Sequence, residues 1–515
     1  MTPTTRREFL SDVSRGMFVA GLGASLASDL GFGAAYADEG TDAIPLGDYA
    51  SLVGLMESTP AEKLQPILAD KLRRGEVDLK TLIAAGALAN AQTFGGCDYV
   101  GFHTAMAMLP ALGMSGLLAS ERKPLPILKV LYRNSAQIQS VGGASKKELQ
   151  ALHAVEHAIE GDLGVAIRDA CRKTDKKTAE DLFATVGNSP REALNALQPA
   201  VQDDINVHRF VFAHRTYGLV GLLGKEYSHT LLRQCVRYCI NDEQGRIAHK
   251  NAESPIRTVL PKVLDQFKLV GRSLGTRDPG DAAVDELSRT IYDGPPERAA
   301  EAVGAALAEG ISPEVVGEAI SLASNLLTLR QGADNWRTHG ASYGVHSSDA
   351  TNAWRNMARV CDSRHAVGGL IVAAYHSSSH TGFKTPPYPT DEHRALVKAQ
   401  DAKGLLAEAE DAIRHNDQGR SSAAIQIYCE KGNASEPVFD LMLKYAVSED
   451  GRLHGEKYFH TVREEFAVAR PAFRWRHLVG LTRVTASAYG YNLEDKHGFH
   501  APGYEEACRL LGVEA

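Results

Sequence analysis

The chain is poor in cysteine and aromatic residues and has no surplus of cations. Seven cysteines among 515 residues make no disulfide framework, and neither C-x-x-C nor C-x-x-C-H occurs, which argues against a zinc ribbon and covalently attached c-type haem. With 56 Lys and Arg against 63 Asp and Glu, the formal charge is −7, so a phosphate backbone would meet no cationic excess and nucleic acid is not expected as a partner. No P-loop or dinucleotide fingerprint is present, and nucleotide enzymes lose support accordingly. Alternating apolar and polar residues are nearly absent too. Aromatics make up 7% of a chain rich in Ala and Leu, which predicts an all-α fold. What is abundant is histidine, with 19 copies.

Residues 1–37 read as an export signal. Thr5-Arg6-Arg7-Glu8-Phe9-Leu10 is a twin-arginine pattern, a weakly apolar stretch runs from Gly16 to Ala27, and Ala35-Tyr36-Ala37 offers a cleavage site before Asp38. That stretch is shorter than the ~20 residues needed to span a bilayer, and beyond Ala37 no run of 18 apolar residues follows. The expected partner is the twin-arginine translocase, the expected location the periplasm, and no membrane anchor is expected. The route carries folded proteins, so a metal can be chosen in the cytoplasm before export.

The remainder repeats itself. Pro60-Ala61-Glu62-Lys63, Leu72, Gly75, Ala84 and Asn90 find counterparts at Pro295-Pro296-Glu297-Arg298, Leu307, Gly310, Ala319 and Asn325, at a constant offset of 235. Gly101-Phe102-His103 resembles Gly344-Val345-His346 at offset 243; His208 and His214 match His454 and His460 at 246; His229 and His249 match His477 and His497 at 248. An ordered series with slowly drifting offset predicts a duplication. Its halves are 38–270 and 297–515, joined by a linker over 271–296 where Gly271, Gly275, Asp278-Pro279-Gly280 and Gly294-Pro295-Pro296 cluster. Thr59-Pro60 followed by Leu64, Ile67, Leu68 and Leu72 reads as a helix start, and Leu370 to Tyr375 as part of a buried helix. Two helical repeats packed about a pseudo-two-fold axis would bring matching residues together on that axis.

Four histidines stand in similar settings, each after an apolar residue near the start of a helix: His103, His208, His346 and His454. Neutral imidazole is the commonest metal ligand, and symmetry would gather these two repeat-related pairs. Lys457 follows His454 by three residues and Glu465 by eleven, which puts both on one helical face with it. Other groupings are weaker. His153-Ala154-Val155-Glu156-His157 spells the inverted zincin pattern, extended by Glu160, but reads as a charged helix face. His376 and His380, and Cys361 and His365, also lie one turn apart and read as core or helix-end groups. Cys235 and Cys239 share a face without favouring a disulfide. Whether His214, His229, His249, His460, His477 or His497 belong to the site stays open at this level.

On Glu57-Ser58-Thr59-Pro60, Leu72-Arg73-Arg74-Gly75, Gly101-Phe102-His103, Val207-His208-Arg209, Gly344-Val345-His346, Thr351-Asn352-Ala353 and Leu453-His454 with Lys457, the chain resembles a group of twin-arginine-exported helical proteins from planctomycete-type bacteria. More remotely it is similar to the questin-oxidase-like family, which includes helical non-haem iron oxygenases that use four His and a carboxylated Lys. The resemblance implies His103, His208, His346 and His454 as the imidazoles and Lys457 as the modified lysine. The expected function is that of a periplasmic non-haem iron oxygenase or oxidoreductase, taking O2 and a small organic substrate. Asp349, Asn352 and Tyr458 would orient the imidazoles, with Asp349, Tyr458 and Glu465 as catalytic candidates. Two alternatives share the residues: a zinc or manganese hydrolase or lyase with Glu465 as base, and a non-enzymatic helical metal-binding protein.

Overall fold

The computed structural model describes residues 44–151, 161–186, 189–332, 342–380, 385–451, 454–490 and 503–515. The export signal, the His153 to Glu160 stretch and His497 lie outside the described residues. The all-α expectation holds. The described residues form α-helices joined by turns and short 3-10 pieces, and their strand-like pairing is limited to one isolated bridge between Arg277 and Ile311.

Among the described residues, eleven helices precede residue 271: α1 (Ala50–Ser58), α2 (Ala61–Arg73), α3 (Leu79–Phe94), α4 (Tyr99–Ser115), α5 (Leu125–Ser140), α6 (Leu163–Arg172), α7 (Lys176–Ala184), α8 (Pro190–Val201), α9 (Val207–Leu223), α10 (Ser228–Ala248) and α11 (Ile256–Gln266). Twelve more follow among the described residues: α12 (Asp281–Asp293), α13 (Pro296–Ala308), α14 (Pro313–Arg330), α15 (Tyr343–Ala358), α16 (Ser363–Ser378), α17 (Asp391–Leu396), α18 (Ala402–Arg414), α19 (Gln418–Glu430), α20 (Glu436–Val447), α21 (Gly455–Val468), α22 (Trp475–Ala488) and α23 (Tyr504–Leu511). The stretch 271–296, expected as a linker, therefore contains a helix. Its glycines and prolines bracket α12, because each disfavours helix interiors and marks a boundary.

Two helices are buried on every side along most of their length. Leu82 through Phe94 of α3 are buried without interruption, as are Ala366 through Ser378 of α16, so neither presents a solvent stripe. At the centre four helices close a ring: α4 packs on α9, α9 on α15, α15 on α21, and α21 back on α4. The stretches 38–270 and 297–515 thus meet across two of these four contacts. Trp354 of α15, 1% exposed, lies against Phe210 of α9 with ring centroids 5.0 Å apart. Aromatic side chains bury the largest apolar areas, on the order of 150–250 Å² each, so this pair contributes much of the apolar attraction between α9 and α15. Among the described residues, no helix is long and apolar enough to cross a membrane.

Candidate functional site

Each helix of the central ring carries one histidine at its N-terminal end, and local sequence explains where each helix begins. The Asp98 side chain accepts from the Gly101 amide at 2.7 Å and starts α4; Gln137 Nε2 donates to the same carboxylate and holds it. Asn206 caps α9 by accepting from the His208 amide at 3.0 Å, and Ser342 caps α15 by accepting from the Val345 amide at 3.1 Å. His454 is itself the N-cap of α21, its carbonyl accepting from the Tyr458 amide at 2.8 Å.

The four imidazoles gather. His103 Nε2 lies 3.2 Å from His208 Nε2, and His346 Nε2 lies 3.3 Å from His454 Nε2. Ring centroids are 5.3 Å apart for His103 and His454 and 6.0 Å for His208 and His346, so the two pairs form one closed group. The nitrogens meet in two pairs rather than at one point. Among the described residues, no three or more His, Cys, Asp or Glu side chains are arranged to hold a metal ion as they stand. The spacing within each pair nonetheless suits one. Two nitrogens at ~2.1 Å from an ion, at ligand angles of about 90–110°, lie about 3.0–3.4 Å apart.

The hydrogen bonds behind the first pair decide its protonation. His103 Nδ1 is 2.7 Å from the Tyr99 carbonyl, which can only accept, so Nδ1 carries the hydrogen. His208 Nδ1 is 3.0 Å from Asn206 Oδ1, whose role as an acceptor is set by the His208 amide. The other end of that amide group donates to Asp242 at 2.9 Å and to Tyr238 at 3.1 Å. Both rings therefore hold their hydrogen on Nδ1 and turn a bare Nε2 lone pair toward the other ring. Protonating either ring would relieve the clash, but burial, reinforced by Lys457, opposes it. His103 is held well below the usual imidazole range and His208 down to about 3. Burial likewise lowers His346 and His454 well below that range. Tyr99, Phe102 and Tyr238 wall this side, with Phe102 5.3 Å from the His208 ring and 5.1 Å from Tyr238.

Lys457 is 3% exposed, and burial lowers its amine to about 8, with Asp349 opposing the shift. Asp349, pushed upward by burial, accepts from Thr461 Oγ1 at 2.7 Å. The sequence also placed Glu465 at this face, but eleven helical residues amount to about 16 Å along the axis. Its carboxylate is taken up there by Ser321 at 2.6 Å, by Asn352 at 3.0 Å and by Arg355. Asn352 thus orients Glu465. Tyr458 is 1% exposed, and its neighbours are Thr328 and Ser348. Of the histidines left open, His214 is buried beside Arg215, and His460 Nε2 pairs with Glu464 at 3.0 Å. His229 lies near Phe183, His249 caps the end of α10, and His477 is buried near Glu465.

Sequence reasoning missed two supports. Asn206 was legible as a helix N-cap residue, although its bond to the imidazole was not. The other is Glu456, fully buried next to Lys457. It takes Lys129 Nζ at 2.9 Å and Arg133 Nη2 at 2.7 Å on both oxygens, tying α21 to α5. Against known protein families, curated proteins and solved structures, the chain matches none.

Proposed function

We propose that this chain is a metal-dependent oxidoreductase, an exported non-haem iron oxygenase whose ion is held by His103, His208, His346 and His454. The observation that carries the reading is the pair of opposed Nε2 lone pairs at 3.2 Å, each fixed by a hydrogen bond on the far side of its ring. Two buried neutral acceptors facing each other repel unless a cation lies between them. Orienting partners on Nδ1 are the usual companions of ligating imidazoles. Iron bound there would supply redox chemistry toward O2 and an open position for a small organic substrate. The protein's own part is to keep four imidazoles neutral, to exclude water with Tyr99, Phe102 and Tyr238, and to offer Lys457 as an additional group. At about 8, roughly a tenth of the lysine is free amine at pH 7 and about half at pH 8. The nitrogen of the free amine can add to carbon dioxide, forming a C–N bond as one C=O π bond opens and releasing one proton to solvent, which converts a neutral amine into an anionic carbamate. The resemblance to the questin-oxidase-like family implies the same modified lysine.

We also infer a duplication. Helices α1 to α11 and α12 to α23, with α17 set aside, run in the same order, and α2 and α13 are each 13 residues long at the offset of 235. The packings α4 on α9 and α15 on α21 are then equivalent, as are the cross-packings α9 on α15 and α21 on α4. A site at the centre of that ring draws two imidazoles from each half. The twin-arginine pattern supports delivery of the folded, loaded protein to the periplasm.

The test is elemental analysis of protein purified from a twin-arginine-competent host, with an EPR signal on adding nitric oxide as the mark of ferrous iron. His208→Ala should abolish iron retention. Asn206→Ala should leave the ligands in place and weaken affinity by about 10–100-fold, the usual effect of losing an orienting partner. Retention of iron by the His208→Ala protein at wild-type affinity would overturn the reading. Zinc or manganese in its place would transfer the site to hydrolytic or lyase chemistry.

A further inference from the structure

A second pair of imidazoles stands at the end of α16. His376 and His380 are one turn apart, their ring centroids 5.2 Å from each other and their planes at 86°. Two imidazoles on one ion place their ring centres about 4.5–5.2 Å apart for nitrogen–metal bonds of ~2.1 Å and ligand angles of about 90–110°. Neighbours restrict both rings. Tyr343 stacks on His380 at 4.3 Å and 18°, and Phe210 meets His376 edge-on at 5.7 Å.

His376 is 3% exposed, and its Nδ1 has no hydrogen-bond partner. Elsewhere in this protein a buried helical histidine settles that nitrogen on the carbonyl one turn back, as His103 does on Tyr99. His376 sits in the same helical geometry and does not. A buried imidazole nitrogen without a partner, beside a second imidazole at ligand spacing, is unexplained by packing alone. Both rings border the central group, since His346 and His380 are near enough for the charge of one to act on the other.

We propose that His376 and His380 bind a second divalent transition-metal ion, zinc or copper in class, with water completing its coordination, beside the four-histidine ring. Imidazole nitrogen suits these ions, and two protein ligands leave positions open for exchange. The inference stands independently of the ring's own metal.

The experiment is equilibrium dialysis of the metal-stripped mature protein against zinc, with bound metal measured per chain. Wild type should hold two ions, and His376→Ala/His380→Ala one. His208→Ala/His454→Ala should also hold one, this time on α16. Since His376 is deeply buried, the single variant His380→Gln serves as a control with less effect on folding, and far-UV circular dichroism monitors all of them. It should weaken the second zinc by at least about tenfold. Equal zinc in wild type, His376→Ala/His380→Ala and His380→Gln overturns the second site. One ion per wild-type chain, lost in His208→Ala/His454→Ala and kept in His376→Ala/His380→Ala, overturns it and leaves the four-histidine reading standing. One ion lost only in His376→Ala/His380→Ala supports the second site and removes the first.

Discussion

Glu456→Gln should destabilise the protein by about 3–5 kcal/mol, the usual cost of breaking a buried ion pair from one side. Glu456 and Lys129 are both 0% exposed and Arg133 is 7% exposed, so the substitution leaves two cations in the interior without their anion. Lys129 would keep carbonyl acceptors at Ala446 and Ser448, but a neutral oxygen does not replace a carboxylate. Urea unfolding reads the loss directly. Lys129→Met combined with Glu456→Gln should recover part of it, since one unpaired charge is removed. A change within about 0.5 kcal/mol would show that the triad is not a stabilising anchor for α21. The pH dependence has a definite sign. Burial raises the Glu456 carboxyl, but Arg133 and Lys129 more than offset it and the net position is below the ordinary 4.5. Its contribution is thus fully present above the ordinary carboxylate range and is lost as pH falls through the lowered folded value. Glu456→Gln should flatten that acid limb of the stability curve.

The fold class was legible because helix signals are local. The near-absence of period-2 alternation, the Pro60 boundary and the apolar run from Leu370 to Tyr375 each correspond to helical structure. The four histidines were legible for a different reason. Matching sequence contexts said which residues would share an environment, and the fold gathers those four. What failed was face reasoning over long distances. Helical period puts Glu465 on the side of Lys457, but a shared face says nothing of height along the axis, and eight residues, about 12 Å of rise, move it to Arg355. Ion pairs between distant segments, such as Lys129 and Arg133 with Glu456, leave no local trace in sequence. The caps were half visible. Asn206 has the residue type of an N-cap, but its service to His208 depends on where the ring turns.

Lys457 is where the iron reading and plain histidine binding give different expectations. Its amine, lowered to about 8 chiefly by burial, is about half unprotonated at pH 8, against about 0.3% for an ordinary lysine. Only the free amine adds to carbon dioxide. Wild type supplied with 13C-bicarbonate should therefore show a carbamate resonance that is absent from Lys457→Ala. Iron affinity in Lys457→Ala should fall by roughly 10–100-fold if the carbamate supports the centre. A short carboxylic acid such as acetate should restore part of the affinity by supplying the missing anionic oxygen. Lys457→Arg should fare no better than Lys457→Ala, because guanidinium stays charged and cannot form the carbamate. It also keeps a fixed cation beside His103 and His454, whose rings already respond to Lys457. The protonated lysine favours neutral imidazoles by the same repulsion, and its loss leaves the four rings in place. Unchanged iron affinity and no carbamate signal in wild type would detach Lys457 from the centre and leave four imidazoles, without an anionic partner, to hold the ion.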